Sequence, residues 1–310
     1  MVANGRRYTL EMILARLAVF AVVSVAVAAG GQSAPMQKAD LHWCQGYPCM
    51  DVQLGSGPSL RFLLDTGDQA SVIDAAVARR IGLATTPVAG ADGKPIPGYA
   101  RTVLANLRLG EVRLGDVKAL ASDLSAYMAK NQMPKADGTL AYPAFADRLL
   151  EIDYQRSQLR VSAPLKSALP CTGACGGLEL ITFGKHGPPI VVGSGFEVNG
   201  HAVHAQIDTL YGGSMLIYPA AVAGLGLQQE AASTARQFFP YTDGGVTMLK
   251  AKAAEEGFAG RPLLRNAPLY FATPGVHLPD GLFEATVGGA FLAHRVLRLD
   301  FHDHWVGIEG

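Results

Sequence analysis

Charged residues fill only 17% of the 310 positions, and they cancel, 26 basic side chains against 26 acidic. No basic cluster stands out, so the electrostatic footprint of a nucleic-acid binder is missing. Histidine (8) and cysteine (4) are few. His302-Asp303-His304 would need metal ligands from elsewhere in the chain. The cysteines form two close pairs, Cys44 with Cys49 and Cys171 with Cys175, more than 120 residues apart. That separation does not suit a shared zinc site. In an oxidising compartment the pattern suggests two small disulfides, 44–49 and 171–175, although four cysteines allow three pairings. Gly193-Ser194-Gly195 is no nucleophile elbow, and no glycine-rich stretch has the strand–loop–helix setting of a phosphate site. Neither a metal nor a cofactor is expected.

A membrane-length apolar run is lacking too. Arg6, Arg7 and Arg16 precede an uncharged stretch, Leu17–Ala29, in which only Ser24 is polar. As a helix those 13 residues rise about 20 Å, short of a hydrocarbon core of roughly 30 Å. The run ends in Ala26-Val27-Ala28-Ala29-Gly30 and reads as an export signal over residues 1–30, cut between Ala28 and Gly31. The chain is then expected in the periplasm or secreted, without stable membrane insertion. An uncleaved membrane anchor is the alternative.

What the chain does have is apolar residues (49%), glycine (36) and proline (18), arranged as short apolar runs broken by turn signals. The expected class is all-β. Residues 31–50 read as an N-terminal extension, with a flexible start over 31–41. Residues 51–162 form a first lobe, 163–187 a Pro- and Gly-rich linker holding the second cysteine pair, and 188–310 a second lobe. One pattern recurs. Phe62-Leu63-Leu64-Asp65-Thr66-Gly67 runs on into Ala70-Ser71-Val72-Ile73, and Ala205-Gln206-Ile207-Asp208-Thr209 into Gly213-Ser214-Met215-Leu216-Ile217. Each copy leads to a helix-like stretch ending in Gly-Leu. A later strand ends at Asp153, 88 residues after Asp65, and another at Asp300, 92 after Asp208. Order and spacing argue for an internal duplication. Asp153 and Asp300 are expected in polar turns at strand ends.

These motifs resemble a retropepsin-like aspartic protease of the pepsin/retropepsin superfamily, in a bacterial, single-chain, duplicated form. Asp65-Thr66-Gly67 after an apolar strand carries the resemblance. So does Thr286-Val287-Gly288 ahead of Gly289-Ala290-Phe291-Leu292, whose first-lobe counterpart, Thr139-Leu140-Ala141, has Ala for Gly. The resemblance covers about residues 50–162 and 188–309. It implies two similar closed, barrel-like β lobes with a cleft between them and an extended peptide or protein substrate. It also implies Asp65 and Asp208 as a catalytic dyad, Thr66 and Thr209 as orienting residues, and Gly67 as the turn. Being duplicated, the chain is expected to act as a monomer. A rival in which each lobe dimerises by itself would need Asp65 alone.

The chemistry has its own logic. Two adjacent carboxylates cannot both ionise cheaply, so one keeps a proton. The pair can then activate water as general base and protonate a leaving nitrogen as general acid, and its protons titrate jointly. The departure lies in the second loop, one residue longer, where Leu210 stands in place of Gly and Tyr211-Gly212-Gly213 follows. A leucine avoids positive φ, so either the two glycines open a wider turn or the second Asp is displaced. In the latter case the chain is a catalytically inactive, protease-like peptide- or protein-binding module of the cell envelope. Hairpin flaps are expected at Gly93–Arg101, with Tyr99, and at Phe239–Val246, with Tyr241. Ala70, Val72, Leu210 and Met215 are the apolar candidates flanking the cleft if they are exposed, with core packing of several of them as the alternative.

Overall fold

A computed structural model describes residues 36–90, 92–165, 169–182, 189–232, 234–239, 246–273 and 282–310. Tyr241 and most of the second flap candidate, and the 1–30 segment, lie outside them. The first half contains β1 (Met36–Asp40), β2 (His42–Cys44), β3 (Tyr47–Leu54), β4 (Ser59–Asp65), β5 (Ser71–Asp74), α1 (Ala75–Arg80), β6 (Thr86–Ala89), β7 (Pro95–Leu109), β8 (Val112–Ser122), α2 (Leu124–Lys130), β9 (Gly138–Ala141), β10 (Leu149–Asp153) and β11 (Gln158–Ser162). The second contains β12 (Cys175–Thr182), β13 (Pro189–Val198), β14 (His201–Ile207), β15 (Met215–Ile217), α3 (Gln228–Ala232), β16 (Ala235–Phe239), β17 (Val246–Phe258), β18 (Arg261–Phe271), β19 (Ala285–Val287), α4 (Gly289–Leu292), β20 (Val296–Asp300) and β21 (Trp305–Glu309).

The duplication is visible in the strand order. In the first lobe β3-β4-β9-β5-β8-β7 closes on itself through β3–β7 pairing. In the second, β13-β14-β19-β15-β18-β17 closes through β13–β17. Each β4 position has its β14 counterpart, and β9 and β19 run parallel beside them. The architecture is the all-β, two-lobed one expected. Alternation builds the inner faces: Leu60, Phe62 and Leu64 of β4 are buried in one core with Phe145, while Phe196, Phe258 and Phe291 fill the other end. Phe196 meets Phe258 edge-on at 5.0 Å between ring centroids, a preferred aromatic geometry. Asp74 caps α1 by accepting from the Ala76 and Val77 amides, and Gly82, at φ +73°, ends it.

The lobes are joined by a sheet, β1-β11-β10-β20-β21-β12. At its centre β10 and β20 pair antiparallel, with Glu151 opposite Arg298. Arg298 donates to Glu151 at 2.7 Å and to Glu309 at 2.5 Å, and Arg160 also pairs with Glu151. Asp153 and Asp300 end these strands, each accepting two amides of the following turn, as expected of them.

Two expectations change, at residues 36–40 and at Pro219–Leu225. Residues 36–40, expected within a flexible start, form β1, because the open edge of β11 takes them as a partner in register from Met36–Ser162 to Asp40–Gln158. Within 163–187, where the sequence from Leu178 onward reads as a short strand bridging the lobes, the eight-residue strand β12 pairs with β21 and then with β13. Pro219–Leu225, expected as a helix, forms only a 3₁₀ turn over Pro219–Ala221, and Gly224 and Gly226 follow it in sequence. Met215 is a core residue with no exposed surface, because β15 lies between β18 and β19. Cys44–Cys49 and Cys171–Cys175 are both disulfide-bonded; the first staples the β2–β3 hairpin. Among the described residues no helix is long and apolar enough to cross a membrane.

Candidate active site

Both Asp-Thr sequences leave the ends of their strands and meet. The Thr66 amide donates to Thr209 Oγ1 (3.1 Å), and the Thr209 amide donates to Thr66 Oγ1 (3.2 Å). Each hydroxyl in turn donates to the opposite chain, Thr66 to the Ile207 carbonyl (2.8 Å) and Thr209 to the Leu64 carbonyl (2.5 Å). Both threonines are buried. Four hydrogen bonds thus lock one loop to the other with approximate two-fold symmetry. They place Asp65 and Asp208 side by side in a cavity of about 310 Å³.

The carboxylates are held from behind by amides. Asp65 Oδ1 accepts from the Asp68 amide at 3.0 Å, and the Gly67 amide also points at this carboxylate. Asp208 Oδ1 accepts from the Leu210 amide at 2.8 Å and the Tyr211 amide at 3.1 Å. The loop lacking the expected glycine therefore still supplies two donors. Leu210 does so without positive φ, and neither Gly212 nor Gly213 has positive φ. The wider-turn expectation needs a different reason for the glycines. A Cβ on Gly213 would lie 2.2 Å from the Tyr211 hydroxyl oxygen, so this glycine makes room for the tyrosine ring. Gly67 is likewise a matter of approach, since a Cβ there would lie 2.5 Å from Asp208 Cγ.

Burial raises the pKa of both aspartates. Asp65 goes well above the usual carboxylate range, with the Asp208 and Asp68 charges adding to the effect of burial. For Asp208 burial is again the largest cause, and the amides of Leu210 and Tyr211 oppose it. Proton affinity is therefore high where two acids crowd together.

Several residues here escaped the sequence reading. Asp68 is a third carboxylate lining the cavity, although it sits next to the motif. Gln206 Nε2 donates to the Gly67 carbonyl at 2.9 Å, while its Oε1 accepts from Thr286, which also bonds the Tyr218 hydroxyl at 2.8 Å. The signal for Gln206 was its mismatch with the apolar Leu63 at the corresponding position of the first copy. Tyr127 of α2 lines the cavity, and burial together with the charges of Asp65, Asp68 and Asp208 raises its pKa. Tyr47 responds to burial and to Asp208. Leu210 and Val72 line the cavity as expected, with Leu124 and Met128 of α2.

The first flap candidate does not cover this site. Tyr99 lies on β7 with 49% of its surface exposed and is absent from the cavity wall. Leu124, Tyr127 and Met128 of α2 supply the wall instead. Behind the second loop, Ser214 hydrogen-bonds the buried carboxylate of Glu256 on β17. In the first loop Ser71 accepts from the Ala141 amide at 3.0 Å. Among the described residues no cluster of three His, Cys, Asp or Glu side chains has metal-binding geometry.

A family model described as aspartyl protease matches residues 50–144, the span holding Asp65-Thr66-Gly67 and Thr139-Leu140-Ala141. Among solved structures, basic 7S globulin from soybean aligns over 89% of this chain and 95% of its own, at 11% identity and a TM-score of 0.46. No curated protein matches the chain.

Proposed function

We propose that this chain, whose residues 50–144 match the aspartyl protease model, is an aspartic endopeptidase in which Asp65 and Asp208 activate one water between them. The observation that supports this most is the reciprocal Thr66–Thr209 lock, which joins a loop inside the family match to one outside it. An extended peptide lies in the cleft with its scissile carbonyl over the pair. One aspartate, ionised, takes a proton from the water as it attacks; the other, protonated, polarises the carbonyl oxygen. The proton gained is then delivered to the leaving nitrogen. Asp68 adds negative charge beside the pair and helps Asp65 hold its proton to higher pH. The Gly67, Asp68, Leu210 and Tyr211 amides fix the carboxylate planes, so little reorganisation remains for the reaction. No cofactor takes part. The two disulfides and the charged-then-apolar start of the sequence support an exported location, and the interlocked loops support action as a monomer.

The test is cleavage of a peptide library from acid to neutral pH by wild type, Asp65→Ala and Asp208→Ala. Each substitution is expected to lower kcat on the order of 10³-fold or more, within the usual reach of acid–base catalysis. Activity that survives Asp208→Ala would defeat the single-chain dyad and favour a symmetric partner. Activity that survives both would end the aspartic reading. Peptide binding by a wild type that cleaves nothing would mark an inactive binding module.

A further inference from the structure

A second groove, of about 880 Å³, lies across the first loop from the dyad. Asp65 and Asp68 face the catalytic cavity, whereas the next two residues, Gln69 and Ala70, face this groove. Its floor is the outer face of the β7–β8 hairpin, and Pro189 of the second lobe closes one side. Tyr142, also on its wall, donates to the Pro189 carbonyl at 3.0 Å and ties that side down.

Two features distinguish the floor. It is apolar and open, with Val103 45% exposed. It also carries two cations. The register pairs Arg101 with Leu120 and Val103 with Lys118, so Arg101 and Lys118 are diagonal neighbours on one face, a spacing of roughly 7 Å. Like charges so placed repel. Among the described residues neither has a carboxylate partner. An apolar groove with an uncompensated cationic pair is complementary to an acidic, extended chain. The geometry limits where that chain comes from. Asp65 to Ala70 spans five peptide units, at most about 18 Å, which an extended peptide covers in roughly five residues. A substrate held over the dyad is therefore long enough to reach the groove within about five residues.

We propose, resting on the endopeptidase reading, that this groove binds an acidic stretch of the same peptide whose scissile bond lies over Asp65 and Asp208. Arg101 and Lys118 are its specificity-determining pair. The substrate class is then an extended peptide with Asp or Glu within about five residues of the cleaved bond.

The experiment uses fluorogenic peptides that differ only in Glu, Gln or Lys at successive positions on either side of the scissile bond. Wild type is expected to prefer Glu over Lys on one side by roughly 10-fold in kcat/KM, the scale of two exposed ion pairs, and the preference should shrink at high salt. The Arg101→Glu/Lys118→Glu double variant should reverse the order, and Arg101→Gln/Lys118→Gln should flatten it, with thermal unfolding checking that each folds. Cleavage indifferent to these charges, or a preference untouched in both double variants, overturns the assignment and leaves the endopeptidase reading standing. A second arm measures fluorescence anisotropy of a fluorescein-labelled Glu-rich peptide, with its Lys-rich counterpart, on Asp65→Asn protein. If wild type cleaves nothing, but the Glu-rich peptide binds and the charge-reversed variant releases it, the groove stands and the catalytic reading falls. Equal binding of both peptides overturns the groove. A sedimenting dimer that the double variant splits assigns this face to a second copy and overturns it as well.

Discussion

The first loop has Gly67 after Asp65-Thr66, with Ala141 at the end of β9 beside it; the second has Leu210 after Asp208-Thr209, with Gly288 just beyond β19. Each lobe keeps one glycine of the two, at different places. The reason is what approaches each backbone. At Gly67 it is the Asp208 carboxyl group. At Gly288 it is the longer second loop, whose Tyr211 carbonyl oxygen would lie 2.0 Å from a Cβ. That loop is pinned to the Gly288 turn by three hydrogen bonds, in which the Gly288, Gly289 and Ala290 amides donate to the Ser214, Tyr211 and Gly213 carbonyls. The shorter first loop leaves room for the Ala141 methyl group and uses the Ser71 hydroxyl instead. The motif's glycine is thus a packing requirement here, and the loop that lost it moved the requirement to a neighbour.

The comparison breaks first at Gly67. Gly67→Ala would force a Cβ into the Asp208 side chain, and a displacement of about 1 Å at a reacting group costs on the order of 10²-fold. We expect that loss in kcat. The converse change, Leu210→Gly, keeps the amide that Asp208 uses. It should lower stability by about 1–2 kcal/mol through lost apolar burial and added chain entropy and shift KM more than kcat. A Leu210→Gly variant as inactive as Gly67→Ala would mean the two loops are governed by the same rule after all.

The Ser214–Glu256 pair sharpens the difference by pH. Burial pushes Glu256 up to about 7, against bonding from Ser214 and the nearby Arg295 guanidinium, and its Oε1 has no hydrogen-bond partner among the described residues. A carboxyl whose folded pKa lies above its unfolded value binds more protons when folded. The stability it contributes is complete below pH ~4.5 and is lost as pH rises through about 7. The shift corresponds to on the order of 3 kcal/mol. Chemical denaturation across this range should show wild type losing stability that Glu256→Gln does not lose, with the second loop tracking the change. Parallel curves would remove Glu256 from the account.

How much of this was legible beforehand follows from the range of each interaction. The paired strands, the Asp-Thr ends and the 88- and 92-residue spacings are local patterns repeated in order, so the lobes could be read. The Thr66–Thr209 lock followed from the resemblance. Glu256 could not be found from Ser214, 42 residues away, because nothing in either segment marks the other. β1 is hidden from local patterns because its partner, β11, lies over a hundred residues on, and a turn's composition does not reveal that Tyr99 is absent from the cavity wall. Asp68 and Gln206 are polar residues where the other copy or an apolar wall suggests otherwise, and that mismatch is their only local signal.

The remaining comparison tests what the loops share. Thr66→Val and Thr209→Val each delete one hydroxyl that donates across the loop contact and accepts from the opposite amide. Either change leaves a buried N–H without that acceptor, a cost of about 1–3 kcal/mol. If the lock is symmetric despite the extra residue, the two variants should lose the same stability by denaturant titration. The double variant should then fall short of the sum, because the hydroxyls belong to one network. Unequal losses would show that the longer second loop carries its half of the contact differently, and the larger loss would identify the loop that depends on the lock to hold its aspartate.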